Sequence, residues 1–304
     1  MKVIVTGANG FIGNKLCQSL LKHNIELFCI VRNRKRMKLN ENNNLKIIEC
    51  RLGNYEDLLK YQELYNADVF YHLAWEGSFG DVLADYSIQN KNLNYSCEAL
   101  NIAIKMNIKK FIFAGTINEL ELLEYFNADI NKPRKKSIYG IAKLATELEL
   151  KTIAANNNII YNTAIIGSCF GPGDMTLRIH NAFMLSLLKN EVPKLVACEN
   201  LHDWVYIDEI AEMLLAVGIK SINMKNYYLG HNRLRKLKDI LLDVKNIINP
   251  NAHIEFGNVP GDLFVDYSLV DINSIYADCG YVNNFNFAKE IEETVDWLKK
   301  ERIN

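Results

Sequence analysis

The first thirteen residues constrain this chain most. An apolar run, Val3-Ile4-Val5, breaks there into Thr6-Gly7-Ala8-Asn9-Gly10-Phe11-Ile12-Gly13. Glycines at intervals of three end a strand and open an amphipathic stretch over residues 11–22. Each has its own steric job: Gly7 permits the sharp turn, Gly10 lets the backbone approach a pyrophosphate, and Gly13 lets helix pack closely on strand. The N-terminus of that helix, with its unpaired N–H groups, then faces the anion. A turn of this kind in this setting predicts a dinucleotide site, with Asn9, Phe11 and Ile12 beside Gly7, Gly10 and Gly13 as cofactor contacts.

Strand-like and helix-like runs alternate beyond it. Strands are expected at 3–6, 26–31, 45–50, 68–72, 110–114 and 159–166, with helices at 11–22, 55–64, 85–106 and 139–155 between them. This rhythm predicts an α/β fold, a doubly wound parallel sheet of the Rossmann kind, with a smaller C-terminal α/β substrate lobe. Residues 1–167 would form the NAD(P)-binding domain and 168–304 mainly the substrate lobe, with chain returns to the first domain from about 200–230. Helices near 180–189, 208–219, 237–248 and 287–300 and a strand at 226–229 are expected in that second part. The Asn-rich run 40–44 reads as a solvated connector.

Composition removes several alternatives. With 35 Lys+Arg against 36 Asp+Glu the net charge is -1, which argues against a nucleic-acid partner. Seven cysteines lie singly, with no pair or Cys/His cluster at metal-ligand spacing, so neither a disulfide framework nor a bound metal is expected. The first apolar run is too short for a signal segment, and no window approaches a membrane span. A cytoplasmic, soluble protein without membrane partners is the expectation.

The end of the second strand bears on the choice of nicotinamide cofactor. An acid there would accept from a ribose 2′-hydroxyl, but the chain continues Val31-Arg32-Asn33-Arg34-Lys35-Arg36. A cation at that place suits a 2′-phosphate, so NADP(H) is favoured over NAD(H), with Arg32 as the contact and Lys35 and Arg36 open to the simpler reading of a solvated loop. Further on, Tyr139-Gly140-Ile141-Ala142-Lys143 sets a tyrosine and a lysine on one helix face. A phenol with a reference pKa of about 10 needs a nearby positive charge to work near neutrality. Lys143 would supply that charge and hold the nicotinamide ribose. Thr116 ends the buried run 110–116, on the side of the sheet where ligands bind, and could polarise the carbonyl that Tyr139 protonates.

Together these residues resemble the extended short-chain dehydrogenase/reductase family of nucleotide-sugar epimerases, dehydratases and ketoreductases. Thr6-Gly7-x-x-Gly10-x-x-Gly13 matches its cofactor turn, Asp68-Val69-Phe70-Tyr71-His72-Leu73-Ala74 its fourth strand, and Thr116, Tyr139 and Lys143 its catalytic trio. Phe170-Gly171-Pro172-Gly173-Asp174 and Asp203-Trp204-Val205-Tyr206-Ile207-Asp208-Glu209 resemble its later segments. The resemblance implies further cofactor contacts at Arg51, Leu52, Leu73 and Ala74, and sugar or diphosphate contacts at Trp75, Asn118, Glu119, Ser168, Arg178, His180, Asn181 and His202. Arg51 stands where relatives often carry Asp, and Ser168 and His202 where Asn and Arg are common, so cofactor affinity and substrate identity are the points of departure. Trp75 reads equally well as a packing residue.

The resemblance also implies a homodimer through the helices at 85–106 and 139–155. Its favoured activity is NADPH-dependent reduction, at carbon 4, of a nucleotide-diphosphate-linked 4-keto-6-deoxy sugar, with Tyr139 as proton donor. An NAD-dependent 4-epimerase is the nearest alternative. A 4,6-dehydratase follows at a distance, because Thr116 is separated from Glu119 by Ile117-Asn118. A cofactor-sensing or scaffold protein is the non-enzymatic reading.

Overall fold

The computed structural model describes residues 1–122, 134–259, 265–284 and 286–303. Its architecture follows from strands buried on both faces. In β1 (Lys2–Thr6), Val3 and Val5 join one apolar cluster and Ile4 the other. β5 (Lys110–Thr116) divides in the same way, with Ile112 and Ala114 on one side and Phe111 and Phe113 on the opposite one. Strands with two buried faces need helices on both, and a parallel sheet with crossover helices provides them.

The remaining strands are β2 (Glu26–Val31), β3 (Leu45–Glu49), β4 (Val69–His72), β6 (Ile160–Ile166) and, much later in the chain, β10 (Asn226–Leu229). They form one seven-stranded sheet in the order β10-β6-β5-β4-β1-β2-β3, and every pairing is parallel. The order reverses beside β1, and a ligand crevice is expected at such a switch point, outside the carboxyl ends of the strands. Helices α2 (Tyr86–Lys105) and α3 (Ser137–Asn156) pack together on one face, while α1 (Phe11–Lys22) packs with α5 (Ile207–Lys220) on the other.

Residues 55–64 are not an α-helix. They form two short 3₁₀ turns, Tyr55–Lys60 and Gln62–Leu64. The reason is visible in their spacing: Tyr55, Leu58, Tyr61 and Leu64 all pack against the core at intervals of three, the period of a 3₁₀ turn rather than 3.6. Short strands after β6 also went unread. β7 (Ser168–Phe170) pairs in parallel with β9 (Trp204–Tyr206), and β8 (Leu201–His202) pairs antiparallel with β11 (Arg235–Lys236). Two or three residues carry too little periodicity to register. Helices α4 (Ile179–Leu188), α6 (Leu237–Ile248) and α8 (Phe287–Arg302) pack on one another, and a short α7 (Ser274–Cys279) stops at Gly280 with φ 61°.

Where β10 ends, a buried ionic cluster ties the chain to the start of α5. His231 sits between two carboxylates, with Nδ1 on Asp203 Oδ1 and Nε2 on Glu209 Oε2 at 2.9 Å. Asp203 Oδ2 also accepts from the His231 amide at 2.7 Å and the Tyr228 hydroxyl at 2.9 Å. Burial alone would lower the imidazole pKa, but the bonds to Asp203 and Glu209 outweigh it and raise it to about 10. Both ring nitrogens therefore donate, and the ring is a cation at neutral pH.

The sign of the resulting pH dependence follows from that upward shift. The stabilisation is complete below about pH 6.5, where the unfolded imidazole is also charged, and disappears as pH rises towards about 10. We expect the urea midpoint of the wild type to fall across that window. His231→Gln should lose roughly a few kcal/mol at acid pH and show a flatter profile. Parallel profiles in urea titrations of the two proteins would contradict this account.

Candidate active site

The glycine turn is built around a close approach of backbones. Gly7 has φ 68°, and a Cβ there would lie 2.9 Å from the Ala74 nitrogen on the neighbouring strand end. At Gly13 a Cβ would meet the Gly7 carbonyl oxygen at 2.2 Å. The Gly10 amide donates to that same carbonyl at 2.9 Å, and Gly10 caps α1 without any side-chain hydrogen bond. The first amides of α1 are thus left for an outside acceptor, and no Cβ stands in the way, which is what a pyrophosphate requires.

A polar chain supports the turn from below. Thr6 Oγ1 accepts from the Ala74 amide at 3.3 Å and lies 2.9 Å from His72 Nδ1, while His72 Nε2 lies 3.0 Å from Ser96 Oγ. Ser96 donates onward to the Asn92 carbonyl at 2.8 Å. With that hydrogen spent, Ser96 accepts from Nε2–H, and Thr6 donates to Nδ1. His72 is accordingly neutral; burial, with Lys143 adding to it, pushes its pKa down to about 3.

Around the turn, Asn9, Phe11, Ile12, Leu73 and Ala74 are half-buried, and Phe11 lies next to Gly173 of the Gly-Pro-Gly loop. Arg32 follows β2 directly, is exposed, and makes no ion pair among the described residues. Arg34, by contrast, is held by Glu41 and by the Ile47 carbonyl. Arg51 is exposed and Leu52 half-buried at the end of β3. The turn, the open α1 amides and the strand ends fit a nicotinamide dinucleotide.

Thr116 ends β5 and Tyr139 and Lys143 stand on the first turns of α3; the Thr116 hydroxyl interacts with the Tyr139 phenol, and Tyr139 and Lys143 both meet the Trp75 ring. Gly140 makes the approach possible, since a Cβ there would lie 2.7 Å from the Asn118 carbonyl oxygen. Burial pushes the Tyr139 phenol up to about 12; Arg178 and the Thr116 hydroxyl oppose that rise, and Glu119 adds to it. The Lys143 ammonium donates to the Ala114 carbonyl at 2.7 Å and sits over two rings, 3.8 Å from the Trp75 centroid and 4.5 Å from that of Phe113. Burial lowers its pKa to about 7, with Glu119 acting against the fall. Without a paired carboxylate, the interior disfavours the charged amine.

Trp75 is part of this constellation. Its ring meets Tyr139 edge to face at 6.1 Å and 88°, and its Nε1 donates to Gln89 Oε1 at 2.9 Å. Gln89 and Asn92 were not anticipated, and both are almost fully buried on α2. Gln89 donates to the carbonyls of Gly77 and Val82, while Asn92 exchanges hydrogen bonds with both backbone groups of Glu76. The signal was present as polar residues at 89, 92 and 96, three and four apart on a face that a buried helix should keep apolar.

The expected sugar contacts divide. Arg178 Nη2 donates to the Ser78 carbonyl at 2.8 Å and its guanidinium lies 5.9 Å from the Phe79 ring, so it links the residues before α4 to the loop after β4. Asn118 is half-buried, accepts from the Thr116 hydroxyl at 3.1 Å and donates to Glu121 at 3.1 Å. Glu119 does not present its carboxyl to a ligand. It is 2% exposed and its Oε1 accepts from the Thr116 amide at 2.8 Å, closing a reciprocal cap; burial, with Glu147 reinforcing it, raises its pKa well above the usual range. His180 is not on the surface. It stacks on Phe170 and meets Trp204 edge to face with the centroids 4.5 Å apart, and burial holds it neutral. Asn181 is buried too and donates to the carbonyls of Asp174 and Thr176, with Oδ1 unpartnered among the described residues. Ser168 on β7 and His202 on β8 are half-buried, and burial lowers the His202 pKa. No three-ligand metal cluster exists among the described residues.

Comparison with known proteins agrees with this fold. Over 97% of its length the chain is 26% identical to CDP-abequose synthase of Salmonella typhimurium, covering 98% of that protein. It is 24% identical to dTDP-glucose 4,6-dehydratase of Haemophilus influenzae, with 98% of this chain and 97% of that one aligned. The fold superposes on the crystal structure of Thermotoga maritima UDP-glucose 4-epimerase with UDP-glucose at TM-score 0.80 and 21% identity, covering 99% of each chain. The family model described as NAD dependent epimerase/dehydratase matches residues 3–230. With most of its 304 residues so matched, the chain belongs to the NAD-dependent epimerase/dehydratase family of extended short-chain dehydrogenases/reductases.

Proposed function

We propose that this enzyme reduces the carbon-4 ketone of a nucleotide-diphosphate-linked 4-keto-6-deoxy sugar, using NADPH. The observation that carries the reading is the end of β2, where Arg32 is exposed and no acidic residue follows in the next four, a setting that suits the 2′-phosphate of an exchangeable NADPH; burial raises the Tyr139 phenol above its usual range, which is in keeping with a proton donor. Reduction of a ketone needs that proton at the oxygen as the hydride arrives at carbon. An oxidation-first cycle such as 4-epimerisation would begin from the phenolate.

When bound, the nicotinamide supplies the hydride. Tyr139 then delivers its hydroxyl proton to the substrate oxygen, and Thr116, at the end of β5, donates a hydrogen bond to the same oxygen once its hydroxyl leaves Asn118. Lys143 holds the ribose and offsets the charge left on Tyr139. Arg178, whose charge bears on the Tyr139 phenol, is the cation we assign to the diphosphate. Dehydration is disfavoured because the carboxyl of Glu119 is committed to the Thr116 amide. NADPH over NADH rests on Arg32, exposed at the end of β2 with no acidic residue in the five that follow Val31. The relatives, a CDP-abequose synthase, a dTDP-glucose 4,6-dehydratase and a UDP-glucose 4-epimerase, support a nucleotide sugar as substrate. We assign a dimer to the outer faces of α2 and α3, where Tyr86, Ile141 and Leu148 are exposed. Among the described residues no helix is long and apolar enough to cross a membrane.

Mass spectrometry of the nucleotide released on denaturation, followed by NADPH consumption on a panel of nucleotide-linked 4-keto-6-deoxy sugars, tests the reading. Stoichiometric oxidation of NADPH with one sugar is expected. Tightly retained NAD with no net consumption would move the assignment to epimerisation. Tyr139→Phe should lower kcat by about 10²–10⁴-fold while calorimetry shows cofactor binding intact. Arg32→Ala should weaken NADPH about tenfold or more and leave NADH affinity unchanged.

A further inference from the structure

We propose that Trp75 is a positioning residue for Lys143: its indole face, with the Phe113 ring, forms an aromatic seat that holds the ammonium charged, one helical turn from Tyr139. This rests on the reading of Lys143 as the residue that holds the ribose and tunes the proton donor, not on which sugar is reduced.

The argument starts from what surrounds the ammonium. Lys143 is 4% exposed, and of its N–H groups one goes to the Ala114 carbonyl at 2.7 Å. It makes no ion pair among the described residues, yet lies 3.8 Å from the Trp75 centroid and 4.5 Å from that of Phe113. A ring quadrupole attracts an ammonium and does little for a neutral amine, so these two faces favour the charged form against burial. Burial brings the Lys143 pKa to about 7, close to working pH, where a modest preference decides how much of the residue is charged.

The seat is also rigid. Trp75 Nε1 is fixed by Gln89 at 2.9 Å, and Gln89, fully buried, is itself fixed by the carbonyls of Gly77 and Val82. The same indole meets the Tyr139 ring edge to face at 6.1 Å. One side chain thereby sets the spacing between the two groups.

The other groups that bear on the ammonium are few. The turn after β5 brings Glu119 and β4 brings His72, while Tyr161 on β6 and Tyr139 and Glu147 on α3 lie in electrostatic contact with Glu119. Towards this side α2 turns Gln89, Asn92 and Ser96, none of them titratable. Asp81, from the loop before α2, is fully exposed and pairs with Lys136. Arg178 acts on Tyr139.

The test follows the ¹³Cε resonance of Lys143, assigned by its loss in Lys143→Met, through a pH titration of the full chain without substrate. In Trp75→Leu the midpoint should fall by about one pH unit, a tenfold loss of proton affinity, and Trp75→Phe should restore part of it. An unmoved midpoint in Trp75→Leu overturns the proposal. If that variant does not fold, Trp75→Phe carries the test, with a smaller fall expected and no fall fatal. In turnover, kcat should drop and its pH profile shift with the resonance while the sugar KM stays. A raised KM with an unmoved profile would make Trp75 a sugar contact and overturn the seat. Because the titration contains no sugar, failure of the proposed reduction leaves its result intact.

Discussion

A helix can rest on the turn that precedes it only where no side chain separates the two backbones, and the whole site depends on this being met at Gly7 and Gly13. A methyl group at Gly13 would stand 2.2 Å from the Gly7 carbonyl, and one at Gly7 would reach the Ala74 backbone. The second contact fixes more than the turn. It binds the end of β1 to the end of β4, whose partner register sets Thr6 against His72. From β4 the chain runs into Trp75, and from β5 beside it comes Thr116. Steric permission at two glycines therefore aligns the cofactor cradle with the strand ends that carry the chemistry.

Charge in this site is governed by burial more than by pairing. His72, Lys143 and Glu119 are all driven towards their neutral forms, and Tyr139 is held as a phenol. The contrast is His231, where two carboxylates in hydrogen-bond contact overcome the same desolvation and keep the ring cationic. The difference is geometric: two touching carboxylates overcome the desolvation at His231, whereas the rings and the carbonyl around Lys143 offset only part of it. A site of near-neutral groups is poised to respond to a charged ligand, since each arriving phosphate or positive ring acts without competing ion pairs.

Much of this was legible in the chain because the informative patterns are long or sterically absolute. Strands from β1 to β6 and the helices between them repeat over enough residues for their period to show, and Tyr139 and Lys143 needed only the helical spacing. Local geometry hid the rest. The segment 55–64 carried a period of three that passes for a helix until its burial is known. Glu119 looked like a ligand group because it follows Thr116, but a cap three residues from a strand end turns a carboxyl back onto the backbone. His180 gave no sign that Phe170 and Trp204 would enclose it, for those rings come from β7 and β9, strands of three residues each.

The order of these outcomes has a physical source. Pattern along a chain reports which face a residue takes, and so it reports fold; the state of a functional group depends on neighbours brought in from elsewhere. Lys143 illustrates the point. Its place on α3 follows from four residues of spacing, whereas its contacts come from Ala114 and Phe113 on β5 and from Trp75 beyond β4. Even Trp75 is held by Gln89, fourteen residues on, through a bond that no local pattern encodes. The loop after β4 is thus set by buried amides of α2, which leaves its outer side chains free to differ while the seat beneath Lys143 stays where it is.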